Sequence, residues 1–167
     1  MKILFETERL FLREWGLNDA EDLFRLNANP NVLKHTGDKP FKDVKEAEDF
    51  ILNYEQYAKY GLGRWIVQRK SDQEFLGWCG LRYMEEKNET DIGFRFLEEY
   101  WNMGYATESA RAALQYGQRV LKLKNIVGRC KKENTSSIKV LEKIGMKLVS
   151  EIAFDGESGL KYILNDE

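Results

Sequence analysis

Polar and apolar residues alternate in part over residues 7–15 (Arg9, Leu10, Phe11, Leu12, Arg13), the period-two pattern of a half-buried strand. Asn18 with Glu21 three residues on has capping-box spacing, and Leu23, Phe24 and Leu26 supply a helical face that Asn29-Pro30 ends. Residues 30–42 hold both prolines, Gly37 and His35, and read as an exposed loop. Asp43 and Glu46 repeat the cap spacing. Ala47, Phe50, Ile51, Tyr54 and Ala58 then mark the buried stripe of one second helix. Three strand-like runs follow, at 62–68, 74–84 and 90–97, parted by charged turns as in antiparallel hairpins.

Past residue 104 the pattern becomes helical again. The inner face of this helix is built of small residues (Ala106, Ala110, Ala113, Leu114, Gly117, Leu121), which lets it lie close to a sheet. Residues 124–130 read as a strand. Residues 134–144 read as a helix with Ile138, Leu141 and Ile144 inward and Gly145 at its C′ position. A last hairpin joins 148–154 to 160–164 around Asp155-Gly156-Glu157-Ser158-Gly159. The order β-α-α-β-β-β-α-β-α-β-β predicts one mixed α/β domain over residues 1–167, with no linker, repeat or low-complexity stretch.

Composition narrows the function. A chain of 167 residues hides roughly 70% of its unfolded surface, enough for a full core without staples. Lys+Arg 26 against Asp+Glu 28 gives a net charge of −2, which argues against a nucleic-acid partner. Cys79 and Cys130 lie far apart, and His35 is the sole histidine, so neither a metal site nor a disulfide framework is expected. The N-terminus turns charged after five residues, unlike a signal peptide, and no apolar run approaches the ~20 residues of a membrane span. A reduced, soluble, cytoplasmic protein is the expectation.

The chemistry-bearing stretch is a strand, a short loop with Gly104, and a helix starting near Tyr105. A helix N-terminus leaves backbone N–H groups without partners and carries about half a positive charge, so phosphates bind there. Gly104 allows close approach to the backbone, Ala106 keeps the first turn narrow, and Thr107 adds a hydroxyl. No Walker-type lysine follows, which excludes a P-loop.

The segment from Gly93 to Glu108, with its strand, Trp101 and then Gly104-Tyr105-Ala106-Thr107-Glu108, resembles the acetyl-CoA signature of the GNAT superfamily of N-acetyltransferases. It is most similar to the branch that contains ribosomal-protein N-acetyltransferases. Thr7-Glu8-Arg9-Leu10-Phe11-Leu12-Arg13 is similar to that branch's opening strand, and residues 134–146 to its late helix and terminal glycine. Three departures stand out: Trp101 replaces a Gln or Arg, Asn102 a glycine, and Met146 an aromatic.

The resemblance implies a mixed, mostly antiparallel seven-stranded sheet with splayed central strands, flanked by about four helices. It implies acetyl-CoA as co-substrate and direct acetyl transfer to an amine, either a protein N-terminus or a small molecule, by a monomer or homodimer. The backbones of Phe96 and Leu97 would pair with the pantetheine arm. Asn102, Met103, Gly104, Tyr105, Ala106 and Thr107 would hold the pyrophosphate. Asn134 would bond the arm as well, although its place before a helix equally makes it a plain N-cap.

Ser137 matches the branch's serine near the sulfur and would protonate the leaving thiolate; a polar residue in a first helical turn is its ordinary reading. Asp91 is a candidate base on the strand leading into the site, with Asp155 and Glu157 as rivals in the acceptor-side turn. Glu108 is expected to support the helix start, and His35 to lie in an acceptor-side loop. Lys122, Lys124, Arg129, Lys131 and Lys132 either steer the adenosine phosphate or form a solvated face. Trp65, Trp78, Tyr54, Tyr57 and Tyr60 read as core aromatics, and both cysteines as buried strand thiols. A non-catalytic acyl-CoA-binding module on the same fold is the competing reading.

Overall fold

In chain order the strands are β1 (Ile3–Glu6), β2 (Leu10–Arg13), β3 (Arg64–Arg69), β4 (Phe75–Met84), β5 (Glu89–Phe96), β6 (Val127–Lys131), β7 (Lys147–Phe154) and β8 (Glu157–Ile163). These come from a computed structural model that describes residues 2–166. Among the described residues the strands make one eight-stranded sheet, ordered β1-β2-β3-β4-β5-β6-β8-β7. All neighbours are antiparallel except β5 and β6, which run parallel. The helices are α1 (Ala20–Ala28), α2 (Pro30–Leu33), α3 (Val44–Leu52), α4 (Gln56–Tyr60), α5 (Tyr105–Arg119) and α6 (Thr135–Lys143). None is long and apolar enough to cross a membrane.

The fold is the mixed, mostly antiparallel architecture expected, with one more strand than the seven predicted. The extra strand is β1. It lies before the strand predicted at 7–15, and a turn in which Thr7 N–H donates to Leu10 O and Leu10 N–H to Thr7 Oγ1, at 2.9 and 3.1 Å, folds it back on β2 as a hairpin. The single second helix divides into α3 and α4 where Asn53 and Tyr54 break the ladder. The predicted loop at 30–42 opens with α2, whose Val32 is buried. Asn18 does not cap α1; the Asp19 carboxylate instead accepts from Gly16 N–H at 2.8 Å and organises a 3₁₀ turn ahead of it.

The two sheet faces carry separate cores. On one, α5 and α6 pack Ala110, Ala113, Leu114 and Leu141 against Cys79, Leu81 and Ile92. A Cβ at Gly117 would stand 2.9 Å from Leu81 Cδ1, so the small-residue face of α5 is what lets the helix seat this deeply. On the other face, α1 and α3 cover Ile66 and Phe75 with Leu23, Leu26 and Ala47. Two predicted helix signals hold. Asp43 accepts from Glu46 N–H at 2.9 Å, and α6 ends in a Schellman motif. There Met146 N–H reaches Leu141 O and Gly145 N–H reaches Glu142 O, with Gly145 at φ 94°.

Candidate active site

β5 and β6 pair only through Asp91 with Val127 and Ile92 with Gly128. Beyond that point β6 stays with β8 while β5 continues beside β4 as far as Phe96. A wedge therefore opens in mid-sheet, and it belongs to a cleft of about 770 Å³ that reaches Asn134, Ser137 and Cys130 on one side and the α1–α3 layer on the other.

Register decides which backbone groups face this wedge. Leu97 N–H donates to Leu76 O at 2.9 Å, and Leu97 O accepts from Tyr100 N–H at 2.9 Å. Both Leu97 groups are thus used within the protein. Alternation along the antiparallel ladder then turns Arg95 and Gly93 toward β4, and Phe94 and Phe96 toward the wedge. The Phe96 carbonyl accepts from the Trp101 indole N–H at 2.9 Å.

Below the wedge, α5 begins without a side-chain cap. Its first backbone bond is Glu108 N–H to Gly104 O at 3.0 Å, which leaves the N–H groups of Tyr105, Ala106 and Thr107 without helical partners. Gly104 has φ 82° and Asn102 φ 62°, both left-handed. Asn tolerates that region better than most residues, so its replacement of glycine at 102 preserves the bend. Arg9 braces the turn: its guanidinium lies 4.4 Å over the Tyr105 ring and its Nε donates to Glu108 at 2.7 Å. Burial would raise the Glu108 pKa, but the bonds from Thr7 and Arg9 outweigh it and hold the carboxyl below its ordinary range.

On the face away from α5, arginines from three strands converge on one carboxylate. Asp91 accepts from Arg64 Nη2 and Arg82 Nη2 at 3.0 Å each, and Arg129 Nη1 lies 3.8 Å away. A Cβ at Gly93 would sit 2.6 Å from Arg64 Nη2, so glycine there gives the guanidinium its path. Arg64 and Arg95 flank the Trp78 ring at 5.2 and 5.1 Å. Asp155 packs on the 35–38 loop beneath Gly37, joining the two loops that wall the cleft.

The model of the acetyltransferase (GNAT) domain matches residues 9–147. The chain belongs to the GNAT acetyltransferase family. It is 32% identical over 143 residues to an uncharacterised N-acetyltransferase, p20, of Bacillus licheniformis, covering 84% of this chain and 80% of that protein. A GNAT-family acetyltransferase from Bacillus anthracis superposes with a TM-score of 0.83 at 27% identity, over 99% of this chain and 98% of that one. A spermidine N-acetyltransferase from Vibrio cholerae, solved with CoA and spermine, shares the fold at 18% identity and a TM-score of 0.79, over 95% and 96% of the two chains.

Within this GNAT domain the expected site residues fall into groups. Asn102 to Thr107 form the uncapped turn. Asn134 and Ser137 line the cleft together, linked by Ser137 N–H to Asn134 Oδ1 at 3.2 Å. That cap uses Oδ1 and leaves the Nδ2 amide as a separate donor. Asp91 lines the opposite part of the cleft among the arginines. Glu157 is tied to Lys131, which holds its carboxyl below the usual range. The predicted basic cluster is partly spent in pairs: Arg129 with Glu89, Lys131 with Glu157, and Lys132 with Glu151.

Burial pushes the Cys79 and Cys130 thiols up to about 12 and about 11, so both stay protonated at neutral pH. The pattern singled out neither Phe94 nor Arg64, Arg82 and Arg95, and it placed Arg129 only in a basic cluster for the adenosine phosphate or solvent. Period-two alternation flags Phe94 and Phe96 as one set, but only the partner strand shows which set faces the wedge.

Proposed function

We propose that this protein is an acetyl-CoA-dependent N-acetyltransferase that transfers the acetyl group directly to a primary amine. The observation that carries the reading is the two-residue β5–β6 pairing, which opens the sheet next to the uncapped start of α5. A thioester-bearing arm fits the wedge, and a pyrophosphate fits the free N–H groups of the helix start.

In this reading the backbone of Phe94 and the N–H of Phe96 bond the arm, replacing the pair Phe96 and Leu97. Amides from Asn102 to Thr107 hold the pyrophosphate, and Asn134 Nδ2 donates to an arm carbonyl. An oxyanion forming at the thioester carbon would be met by a backbone N–H of β5. As the C–N bond forms and the C–S bond breaks, Ser137 hands a proton to the departing sulfur and is reprotonated from solvent, which also takes the proton that the amine nitrogen sheds. The amine enters from the opposite face, between the 35–38 loop and the arginine cluster.

Asp91 changes role here. It is the carboxylate that Arg64 and Arg82 share, with no other acid bridged to either among the described residues. Neutralising it would leave buried guanidinium charge unpaired, so Asp91 serves as their anchor rather than as the base. An α-amine, with a reference pKa near 7.7–8.0, already supplies a useful free-base fraction at neutral pH.

The test is thiol release from acetyl-CoA against a panel of N-terminal peptides, polyamines, amino sugars and amino acids, alongside acetyl-CoA titration of wild type and Gly104→Glu. Turnover with at least one amine and loss of binding in the folded variant are expected. Tight binding with no turnover across the panel would favour the non-catalytic module. Unchanged affinity in Gly104→Glu would remove the site assignment.

A further inference from the structure

The amine-side half of the cleft has the wrong charge for a polycation. Its walls carry six Lys or Arg side chains and three Asp among the described residues. The excess persists after pairing. In the connected cluster at the base of the wedge, Arg64, Arg82, Arg129 and Lys161 share two carboxylates, Asp91 and Glu89. Cations outnumber carboxylates there by two, each carboxylate being shared by at least two of them.

The guanidinium groups are not equally occupied. Arg64 uses both Nη groups, on Gly80 O and Asp91, and stacks on the Trp78 face. Arg82 makes its bonds, to Asp91 and Met84 Sδ, through Nη2 alone, and its side chain is 49% exposed. Its Nε and Nη1 donors point to no acceptor among the described residues. A second, independent observation lies in the same cleft: Trp15 Nε1 and Arg95 Nε are buried donors with no hydrogen-bond partner. An unpaired buried donor is costly, so both call for an oxygen from outside the protein.

The unused donors of Arg82, in a cleft that also holds other unpaired donors and more cations than carboxylates, define the ligand by chemistry. We propose that the acceptor amine also bears a carboxylate, bound at Arg82 with Arg129 behind it, and that polyamines are excluded from this site. This rests on the acetyltransferase reading for the amine but stands on its own observations for the anion. A second ammonium group would enter the cationic cluster at a repulsive cost, whereas a carboxylate would make charge-assisted bonds with unused guanidinium donors. Arg82 is thus assigned as a specificity-determining residue.

Acetyl transfer is measured as thiol release with matched pairs, each L-amino acid against its own amide, together with the peptides Ser-Glu-Glu and Ser-Lys-Lys (both C-terminally amidated) and spermidine. The acid of the preferred pair should exceed its amide in kcat/KM by about tenfold to a hundredfold, the range expected for a hydrogen bond to a charged group. Arg82→Gln should collapse that ratio toward one without changing acetyl-CoA affinity, and Arg82→Lys should restore part of it. Free acids ahead of Ser-Glu-Glu would assign a small amino acid as the source of the carboxylate; the reverse order would assign an acidic peptide terminus.

Equal rates for acids and amides, preference for spermidine or Ser-Lys-Lys, or an unchanged ratio in Arg82→Gln would each overturn the proposal. If no amine is acetylated, the transfer reading fails by itself, and calorimetric titration of the CoA-loaded protein with N-acetyl-L-alanine and its amide decides the anion site. Tighter binding of the acid, lost in Arg82→Gln, supports the site; equal binding overturns it.

Discussion

The indole N–H of Trp101 donates to the backbone carbonyl of Phe96 at 2.9 Å, fastening the loop before α5 to the end of β5. Trp101 stands where the superfamily pattern has Gln or Arg, so the loop is held by an indole rather than by an amide or guanidinium. The bond fixes Asn102 and Gly104 relative to the wedge. It also occupies one of the two lone pairs of the Phe96 carbonyl.

Trp101→Phe should therefore loosen the loop while keeping most of the apolar contact. A neutral hydrogen bond contributes about 0.5–1.5 kcal/mol net, which predicts roughly two- to tenfold weaker acetyl-CoA binding. Calorimetric titration checks this directly. Affinity that stays at the wild-type value would mean the loop is positioned by its left-handed residues alone.

Asn134 combines a cap and a proposed ligand contact, and two substitutions separate them. Asn134→Ala removes both and should cost about 0.5–2 kcal/mol of stability as well as weakening acetyl-CoA binding. Asn134→Asp keeps an acceptor for Ser137 N–H, and its charge suits a helix N-terminus, so stability should hold. The Nδ2 donor is gone, so affinity should fall as in the alanine variant. Denaturant melts and acetyl-CoA titrations on both proteins decide it; full affinity in Asn134→Asp would leave only the cap.

What could be read in advance divides along local and non-local lines. The Asp43 and Asn134 caps, the Gly145 terminus and the small-residue face of α5 are each set by residues within one or two turns, and the structure has all of them. Alternation exposed β5 as a strand but could not say whether Phe96 or Leu97 faces the wedge, because that parity is fixed by the bond from Leu97 to Leu76 on another strand. The β1 strand lies outside the 7–15 alternation because it is only four residues long, too short to show a period, and its turn into β2 is closed by a side chain, Thr7. The arginine cluster was illegible for a stronger reason. Arg64, Arg82, Asp91 and Arg129 come from four strands and meet only through register.

Glu108 makes the helix start sensitive to acid. Its folded pKa lies below the ordinary 4.5 because bonds from Thr7 and Arg9 outweigh the effect of burial. A carboxyl lowered in the folded state adds stability that is complete above its unfolded value and disappears as pH falls through the folded one. Glu108→Gln should melt lower than wild type at pH 7, and the two melting curves should converge as pH drops below about 4. A constant gap in Tm across that range would show that the charge of Glu108 contributes nothing.

Ser137 and Asp91 lie in different parts of the cleft and should fail differently when changed. If Ser137 protonates the departing sulfur, Ser137→Ala lowers kcat and spares acetyl-CoA affinity, since its structural bond to Asn134 runs through the backbone N–H and survives. General acid assistance amounts to roughly 10²–10⁴-fold, and the low end is expected because a thiol with reference pKa near 8.5 is already a fair leaving group. Asp91→Asn should leave kcat/KM with its wild-type pH profile but raise the acceptor KM and lower stability, because Arg64 and Arg82 lose their shared counter-charge. Both variants are measured across pH with one acceptor and with acetyl-CoA saturating. A shifted profile in Asp91→Asn would return that residue to the role of base, and an unchanged kcat in Ser137→Ala would mean the thiolate takes its proton from solvent.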